Sequence, residues 1–221
     1  MNRFYCFLFT LLSLACAEVE ARQVTYESGG DLTPELASFD VTHYDLNVKI
    51  DPADSTVSGY VDLYFEMVQP HNRIALALDP RMALESVEWM AHPKPLQFSR
   101  NENHHTFYVH FPVTLQPGTT YQLRIRYGGS PRSAPNPPWD GGFVWEKTPS
   151  GEPWIGVATQ TTGAWIWWPN KDHVSDKADS VAVNITMPEN LVVASNGVLR
   201  DESVPEEGWR TWHWFHSNPI S

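Results

Sequence analysis

Apolar and polar residues alternate with a period of two over much of this chain, beginning at Tyr44. The first run has its apolar residues at positions 44, 46, 48 and 50, and a longer run extends from Val57 to Met67. A period of two is that of a β-strand with one buried and one solvent-facing side. Turn-forming residues 51–54 separate the two runs, so we predict a hairpin. No stretch of comparable length carries an apolar stripe with helical spacing, which favours an all-β chain.

Several more short strands follow at intervals of about 8 to 12 residues. The alternation predicts them at residues 74–78, 82–89, 107–111, 121–127, 181–187, 191–194 and 209–214. Asn196-Gly197 predicts a hairpin turn into a strand that starts at Val198. Residues 128–153 are dense in Gly and Pro, and we expect a long loop there. Many short strands of this kind are typical of a β-sandwich or a related barrel.

The N-terminal residues have the pattern of an export signal. A positive charge precedes an apolar run at residues 4–14, which is too short to span a membrane, and Ala-Cys-Ala at 15–17 fits a signal peptidase site. We therefore predict a signal peptide at 1–17, an N-terminal arm at 18–38, and export to the periplasm or the extracellular space without a transmembrane segment. The alternative is a lipoprotein anchored at Cys16. Both cysteines lie in the signal peptide, so the mature chain has no disulfide.

Charge and motifs argue against several classes of function. The net charge of −11 argues against nucleic acid as a partner, because binding phosphates requires clustered Lys and Arg. No G-x-S-x-G motif is present to indicate nucleophilic catalysis. His213 and His216 are spaced H-x-x-H, but residues i and i+3 of a strand point to opposite faces. Asp172, His173 and Asp176 form a polar cluster, and such a cluster in a loop is more often a hydrogen-bonded brace than a metal site.

An aromatic segment at residues 154–176 holds four of the ten tryptophans in the chain. They are Trp154, Trp165, Trp167 and Trp168. Two interpretations are open at this point. As stacking platforms for sugar rings, the tryptophans would make the chain a glycan-binding module. As packing residues, they would form an interface with a neighbouring domain, since apolar clusters on loops are typical of interfaces.

The order of residues in this segment resembles that of a known enzyme family. Residues 163–176 read G-A-x-x-W-W-P-N-K-D-H-x-S-D, which is similar to the aminopeptidase N-like zinc metallopeptidases and in particular to their bacterial branch. The opening F-D-V-x-H-Y-D-L at 39–46, the S-N-G at 195–197 and the W-x-x-S-N-P-I at 214–220 look like the same family in the same order. The resemblance covers nearly all of residues 39–221.

This resemblance implies that residues 39–221 form the family's N-terminal domain, a saddle-like antiparallel β-sandwich, incomplete at its C-terminal end. In the family, that domain packs against a thermolysin-like catalytic domain, which binds zinc through H-E-x-x-H and carries a G-x-M-E-N exopeptidase loop. Neither motif occurs in the 221 residues. We therefore expect the chain to be inactive alone and to hold no cofactor. Zinc, peptide substrate and the removal of N-terminal residues would belong to a full-length parent, with the missing catalytic domain as partner.

The resemblance also implies roles for individual residues. Gln160 matches by order and context the family residue that reaches the substrate near its N-terminal residue, although Thr161-Thr162 after it departs from the commoner pattern. The interface with the catalytic domain is expected to include Trp165, Trp167, Trp168, Asp172 and His173. The alternative function is a free-standing secreted β-sandwich module that binds glycan or protein through exposed tryptophans.

Overall fold

The computed structural model describes residues 28–100 and 104–219, which are mostly β-structure. The strands are, in chain order, β1 (Phe39–Asp51), β2 (Thr56–Met67), β3 (His71–Ala77), β4 (Ala83–Trp89), β5 (Gln97–Arg100), β6 (Thr106–Leu115), β7 (Thr120–Gly129), β8 (Gly142–Lys147), β9 (Pro153–Ala158), β10 (Ser180–Pro188), β11 (Val198–Glu206) and β12 (Trp209–Ser217). The helices are α1 (Pro34–Ala37) and a 3-10 helix (Ala164–Ile166), and no helix in this part of the chain is long and apolar enough to cross a membrane. The predicted signal peptide at 1–17, with the Cys16 alternative, and residues 18–27 of the arm lie outside the described residues.

One large sheet contains strands in the order β11-β12-β10-β1-β2-β7-β4. The predicted hairpin is confirmed, because β1 and β2 are antiparallel and Asp51 pairs with Thr56 across the turn. Neighbouring strands of this sheet are antiparallel except for β1 and β10, which are parallel, with Tyr44 opposite Val181. Parallel neighbours require a long crossover, and here the chain runs through β2 to β9 before it returns.

A second sheet, in the order β3-β6-β5, shares a hydrophobic core with the large sheet. Leu46 of β1 and Leu63 of β2 are buried in that core together with Ile74 of β3 and Phe107 of β6. The apolar positions of each strand recur at every second residue, as the alternation requires. Packing of two sheets around one core confirms the predicted β-sandwich.

A third sheet consists of β8 and β9, and β8 lies inside the segment that the sequence predicts as a loop. The prediction of a loop over the whole of 128–153 is therefore wrong. Phe143 is buried in the main core and stacks on Trp145 with ring centroids 4.8 Å apart, which gives β8 a packed side. The surrounding Gly and Pro residues hide this short strand pattern. Strand β5 was also missed, because four residues are too few to show an alternation.

The strand predicted at residues 191–194 is absent, and the Asn196-Gly197 hairpin is absent with it. The Leu191 N–H donates to the Pro188 carbonyl at 3.0 Å, so the chain turns directly after β10. Strand β11 pairs with β12, which follows it. Gly197 has a φ of 89° and lies so close to the Phe215 carbonyl that a side chain would overlap it. This glycine marks a close approach of two backbones rather than a hairpin turn.

Candidate functional site

The predicted substrate residue, Gln160, lies at the tip of a short loop that follows β9. The loop, residues 159–163, closes on itself: the N–H groups of Thr162 and Gly163 both donate to the Thr159 carbonyl, at 3.3 and 2.9 Å. Gln160 and Thr161 are exposed at the apex. Because a side-chain amide both donates and accepts hydrogen bonds without carrying charge, Gln160 is available to orient a peptide group.

The C-terminal end of this loop is anchored in the domain. Thr162 is buried, and its side chain packs on Gly141, directly before β8, so closely that a methyl group at Gly141 would overlap it. Gly163 has a φ of 87°, and a Cβ there would lie 2.8 Å from the Ser28 hydroxyl and 3.0 Å from Asp172 Oδ1. The loop is therefore enclosed at its C-terminal end, while Thr159, Gln160 and Thr161 are exposed.

Trp165 of the 3-10 helix is fully enclosed by this chain, with 0% of its surface exposed. Its ring stacks on His105 at 4.4 Å between centroids and 18° between planes, and its carbonyl accepts from the Asp79 N–H at 2.8 Å. Its predicted place in a domain interface is untested. Because its side chain has no free surface, Trp165 can influence a second domain only through the residues that it positions.

Trp167 and Trp168 pack differently: Trp168 contacts the large sheet, and Trp167 contacts β8. Trp168 is buried with its ring edge-on to Tyr44, at 4.7 Å and 82°, and the half-buried Trp167 lies edge-on to Phe143 at 6.3 Å. Both tryptophans line an apolar cleft of about 770 Å³ between β9 and the β1–β10 pair. Thr159, the first residue of the Gln160 loop, lines the same cleft.

Asp172 is a buried carboxylate that ties the N-terminal arm to the domain. It accepts hydrogen bonds from the Ser28 hydroxyl at 2.5 Å and from the Gly29 N–H at 3.0 Å, and burial raises its pKa. His105 Nε2 lies 3.7 Å from Asp172 Oδ2. Burial lowers the pKa of His105 to about 4, so at neutral pH this contact joins a carboxylate to a neutral imidazole and is not an ion pair.

His173, the next residue, points to other partners. Its Nδ1 lies 2.8 Å from the Ser175 hydroxyl and accepts from the Ser175 N–H at 3.0 Å, so it braces its own loop. Asp176 pairs instead with Lys171 at 2.5 Å and accepts from the Val41 N–H at 3.1 Å. The structure thus confirms a hydrogen-bonded brace, in which these side chains do not converge on one point.

Sequence reasoning missed several residues that support this segment. Ser28 contacts Asp172 across 144 residues of chain, and His105 and Gly141 reach the segment from equally unmarked positions. No periodicity or motif in the sequence connects them. Lys171 belongs to the family-like pattern at residues 163–176. Its contacts with the Phe39 carbonyl at 2.5 Å and with Asp176 cannot be predicted without the fold.

The family resemblance implies zinc in a catalytic domain, and the part of this chain that the structure describes does not bring a set of zinc ligands together. Within residues 28–100 and 104–219, no three His, Cys, Asp or Glu side chains are grouped so as to hold a metal ion. His213 bonds to Asn184 and Ser203 at 2.7 Å each, whereas His216 lines the apolar cleft, so the two point to opposite faces as predicted.

The four tryptophans do not form one open platform. Trp154 is 63% exposed, whereas Trp165 and Trp168 are buried inside the domain. Stacking of several sugar rings on adjacent tryptophans requires exposed, neighbouring faces. The arrangement therefore favours packing over a multi-tryptophan sugar platform.

Solved structures with a similar fold are M1 zinc metallopeptidases. A mutant of the Deinococcus radiodurans enzyme bound to a Tyr-Ser-Ala substrate has a TM-score of 0.65 and 25% sequence identity, over 80% of this chain and 39% of that chain. A two-domain M1 zinc metallopeptidase mutant bound to L-arginine has a TM-score of 0.66 and 25% identity, over 83% of this chain and 40% of that chain. The likeness confirms the predicted fold class, the saddle-like all-β sandwich of the aminopeptidase N N-terminal domain.

The family is shown by a match between the sequence and a model of a protein family. No curated protein sequence matches the chain. This chain spans about two fifths of the length of the similar solved structures and corresponds to their N-terminal part. Residues 40–221 match the family model of the Peptidase M1 N-terminal domain, and the chain therefore belongs to that family.

Proposed function

We propose that this chain serves as the N-terminal β domain of a zinc-dependent aminopeptidase, which removes N-terminal residues from peptides. The single observation that carries the proposal is the presentation of Gln160, an exposed amide at the apex of a loop whose C-terminal end is enclosed by the domain. A residue that binds substrate must be exposed to it and must be held in place by its surroundings. Gln160 meets both conditions, and it lies in the segment that resembles the family.

The chemistry of an amide suits this role. The Gln160 carbonyl oxygen can accept from the protonated amine at the start of a peptide, and its NH₂ group can donate to a peptide carbonyl. A neutral amide, unlike a carboxylate, does not compete as a ligand for a nearby metal ion. The proposed task of Gln160 is therefore to orient the substrate, while the chemical step and its zinc belong to a catalytic domain.

The apolar cleft is the proposed docking face for that catalytic domain. Trp167 and Trp168 line it, and at its rim Val192 is 86% exposed and Trp154 is 63% exposed. Large apolar side chains exposed together are typical of protein interfaces. Asp172 and His173 contribute from the adjoining loop, Asp172 by holding the N-terminal arm and His173 by bracing residues 173–175.

Export is part of the same proposal, with residues 1–17 as a cleaved signal peptide and acylation at Cys16 as the alternative. Mass spectrometry of the mature N-terminus separates the two outcomes. A terminus after Ala17 supports cleavage to a soluble exported protein. A diacylglycerol-modified Cys16 supports a lipoprotein.

The test of the whole proposal starts from the native polypeptide, captured with antibodies raised against residues 40–219. We expect a polypeptide longer than 221 residues that binds zinc and hydrolyses aminoacyl reporter substrates, with activity lost to a chelator. The 221-residue chain alone, incubated with zinc and the same reporters, is expected to show no turnover. A native polypeptide without aminopeptidase activity, or chelator-sensitive activity of the 221-residue chain, contradicts the proposal.

Within that native peptidase, Gln160→Ala tests the role of the amide. Loss of one substrate hydrogen bond is expected to raise KM about tenfold with little change in kcat. Gln116→Ala removes the same side chain from the exposed turn between β6 and β7 and serves as the control, with unchanged KM. Equal kinetics for Gln160→Ala and wild type would exclude the substrate role.

A further inference from the structure

The loop that carries Gln160 contains a backbone conformation that requires outside support. Thr161 has a φ of 66°, in the left-handed region that β-branched residues rarely adopt. Its hydroxyl donates to the Gln160 carbonyl at 2.6 Å, and this hydrogen bond lies within the loop itself. A strained residue of this kind persists only when the surrounding structure determines its shape.

The nearest support is the packing of Thr162 on Gly141. Thr162 is buried, and its hydroxyl lies 3.4 Å from the Thr159 carbonyl, which is the oxygen that closes the loop. A methyl group built on Gly141 would overlap the Thr162 hydroxyl and would lie 2.7 Å from its Cβ. The Thr162 side chain therefore fits against residue 141 only because glycine has no side chain.

The next residue of the loop, Gly163, lies against the N-terminal arm and the aromatic segment. A Cβ on Gly163 would lie 2.8 Å from Ser28 Oγ, 3.0 Å from Asp172 Oδ1 and 3.1 Å from Trp165 Cδ1. Asp172 in turn binds Ser28 and Gly29. Residues from the arm, the aromatic segment and the position directly before β8 thus enclose the C-terminal end of a loop whose residues 159–161 are exposed.

We propose that Thr162, seated on Gly141, is a positioning residue that holds Gln160 in its substrate-binding orientation before substrate arrives; this inference rests on the proposed function of Gln160. Holding the amide in place in the free protein lowers the ordering cost that substrate binding would otherwise include. Thr162 has no contact with substrate in this arrangement, so its effect passes entirely through Gln160.

The first test uses the 221-residue chain and reads the order of the loop directly. Amide hydrogen exchange at Gly163, whose N–H donates to Thr159, is compared in wild type, Gly141→Ala and Gly156→Ala. Gly156 lies in the same hairpin, and its added methyl would meet only Val144 Cβ, at 3.9 Å. We expect exchange at Gly163 to rise about tenfold or more in Gly141→Ala and to stay at the wild-type rate in Gly156→Ala. Unchanged exchange in both variants overturns the inference.

Thr162 gives an independent variant in case Gly141→Ala does not fold. Thr162→Ala removes the hydroxyl and the methyl that pack on Gly141 and is expected to speed exchange at Gly163. Thr162→Ser keeps the hydroxyl near the Thr159 carbonyl and is expected to restore most of the protection. Equal exchange in the Ala and Ser variants contradicts a positioning role for the hydroxyl.

The second test is a double-variant cycle in the native peptidase. If Thr162 acts through Gln160, Thr162→Ala raises KM about as much as Gln160→Ala, about tenfold, and adds nothing in the Gln160→Ala background. Effects on KM that multiply in the double variant show that Thr162 acts independently of Gln160, and they overturn the inference.

The cycle also separates the inference from the proposed function. A wild-type KM for Gln160→Ala refutes the substrate role of Gln160, and the inference about substrate positioning then fails with it. A raised KM for Gln160→Ala together with a wild-type KM for Thr162→Ala leaves the proposed function in place and refutes the positioning role alone.

Discussion

Lys171 Nζ lies 2.5 Å from Asp176 Oδ2, and both side chains are only 4% exposed. The same ammonium donates to the Phe39 carbonyl at 2.5 Å and lies 4.3 Å above the Phe39 ring, while Asp176 accepts from the Val41 N–H. The pair therefore fastens the loop after Trp168 to the beginning of β1. A charge in such a place is tolerated only while its partner is present.

Asp176→Asn is expected to destabilise the domain strongly, because the Lys171 ammonium would stay buried without its counter-charge. The expected loss is about 3 kcal/mol or more in the free energy of unfolding, measured by urea denaturation. Glu202→Gln makes the equivalent change in the exposed Arg210–Glu202 pair and is expected to cost less than about 1 kcal/mol. Similar losses in the two variants would show that the Lys171–Asp176 pair is not buried as described.

Trp165→Ala is expected to cost about 3 to 5 kcal/mol, because the indole is fully enclosed and its removal leaves a cavity beside His105. Trp154→Ala is the matched control, since the same side chain is removed from a largely exposed position. We expect it to change the unfolding free energy by about 0.5 kcal/mol or less. A small effect of Trp165→Ala, equal to that of Trp154→Ala, would contradict the enclosed position of Trp165.

The alternation of residues was sufficient to predict the sandwich, because in a strand every second side chain faces the core and the period is visible in the sequence. It succeeded for β1 and β2, whose length of more than ten residues makes the period clear. It failed for 191–194, where four apolar or small residues lie in a connection, and for β8, whose six residues stand among Gly and Pro. Short segments carry too few repeats to separate a strand from a loop.

The aromatic segment shows the second limit of sequence reasoning. A loop has no period, so the sequence could mark Trp165, Trp167 and Trp168 as a cluster but could not tell which of them face outward. In the structure Trp165 packs inward on His105, whereas Trp167 lines the cleft. The contacts that decide this come from His105, Phe143 and Tyr44, and each depends on the finished fold.

Folding stability is expected to fall as the pH is lowered from about 6.5 to about 4, through His105. Burial, with the neighbouring His104 and Arg100, lowers the pKa of His105 in the folded chain from 6.5 to about 4. Between these values the unfolded chain binds the proton and the folded chain does not, so stability drops with falling pH, by up to about 1.4 kcal/mol per pH unit. Asp172 acts with the opposite sign, because burial raises its pKa and folding then favours its protonated form at low pH.

His105→Phe separates the two contributions, since it keeps a ring to stack on Trp165 and removes the titrating group while Asp172 remains. Urea denaturation at several pH values between 7 and 4 is expected to show a shallower loss of stability in the variant than in wild type. If the unfolding free energies of the two proteins fall in parallel with pH, the pKa of His105 is the same in the folded and the unfolded chain.

Thr161→Asn is expected to stabilise the domain, because asparagine tolerates the left-handed conformation that Thr161 adopts at a φ of 66°. The expected gain is about 1 kcal/mol, which corresponds to a rise in Tm of about 2 to 4 °C for a domain of this size. Thr159→Asn is the control, because it makes the same substitution two residues earlier, where φ is not positive. An equal gain in stability in both variants would show that replacing threonine by asparagine stabilises the loop regardless of φ. A gain in Thr161→Asn alone would show that the loop holds Thr161 under strain, as the positioning of Gln160 by its neighbours requires.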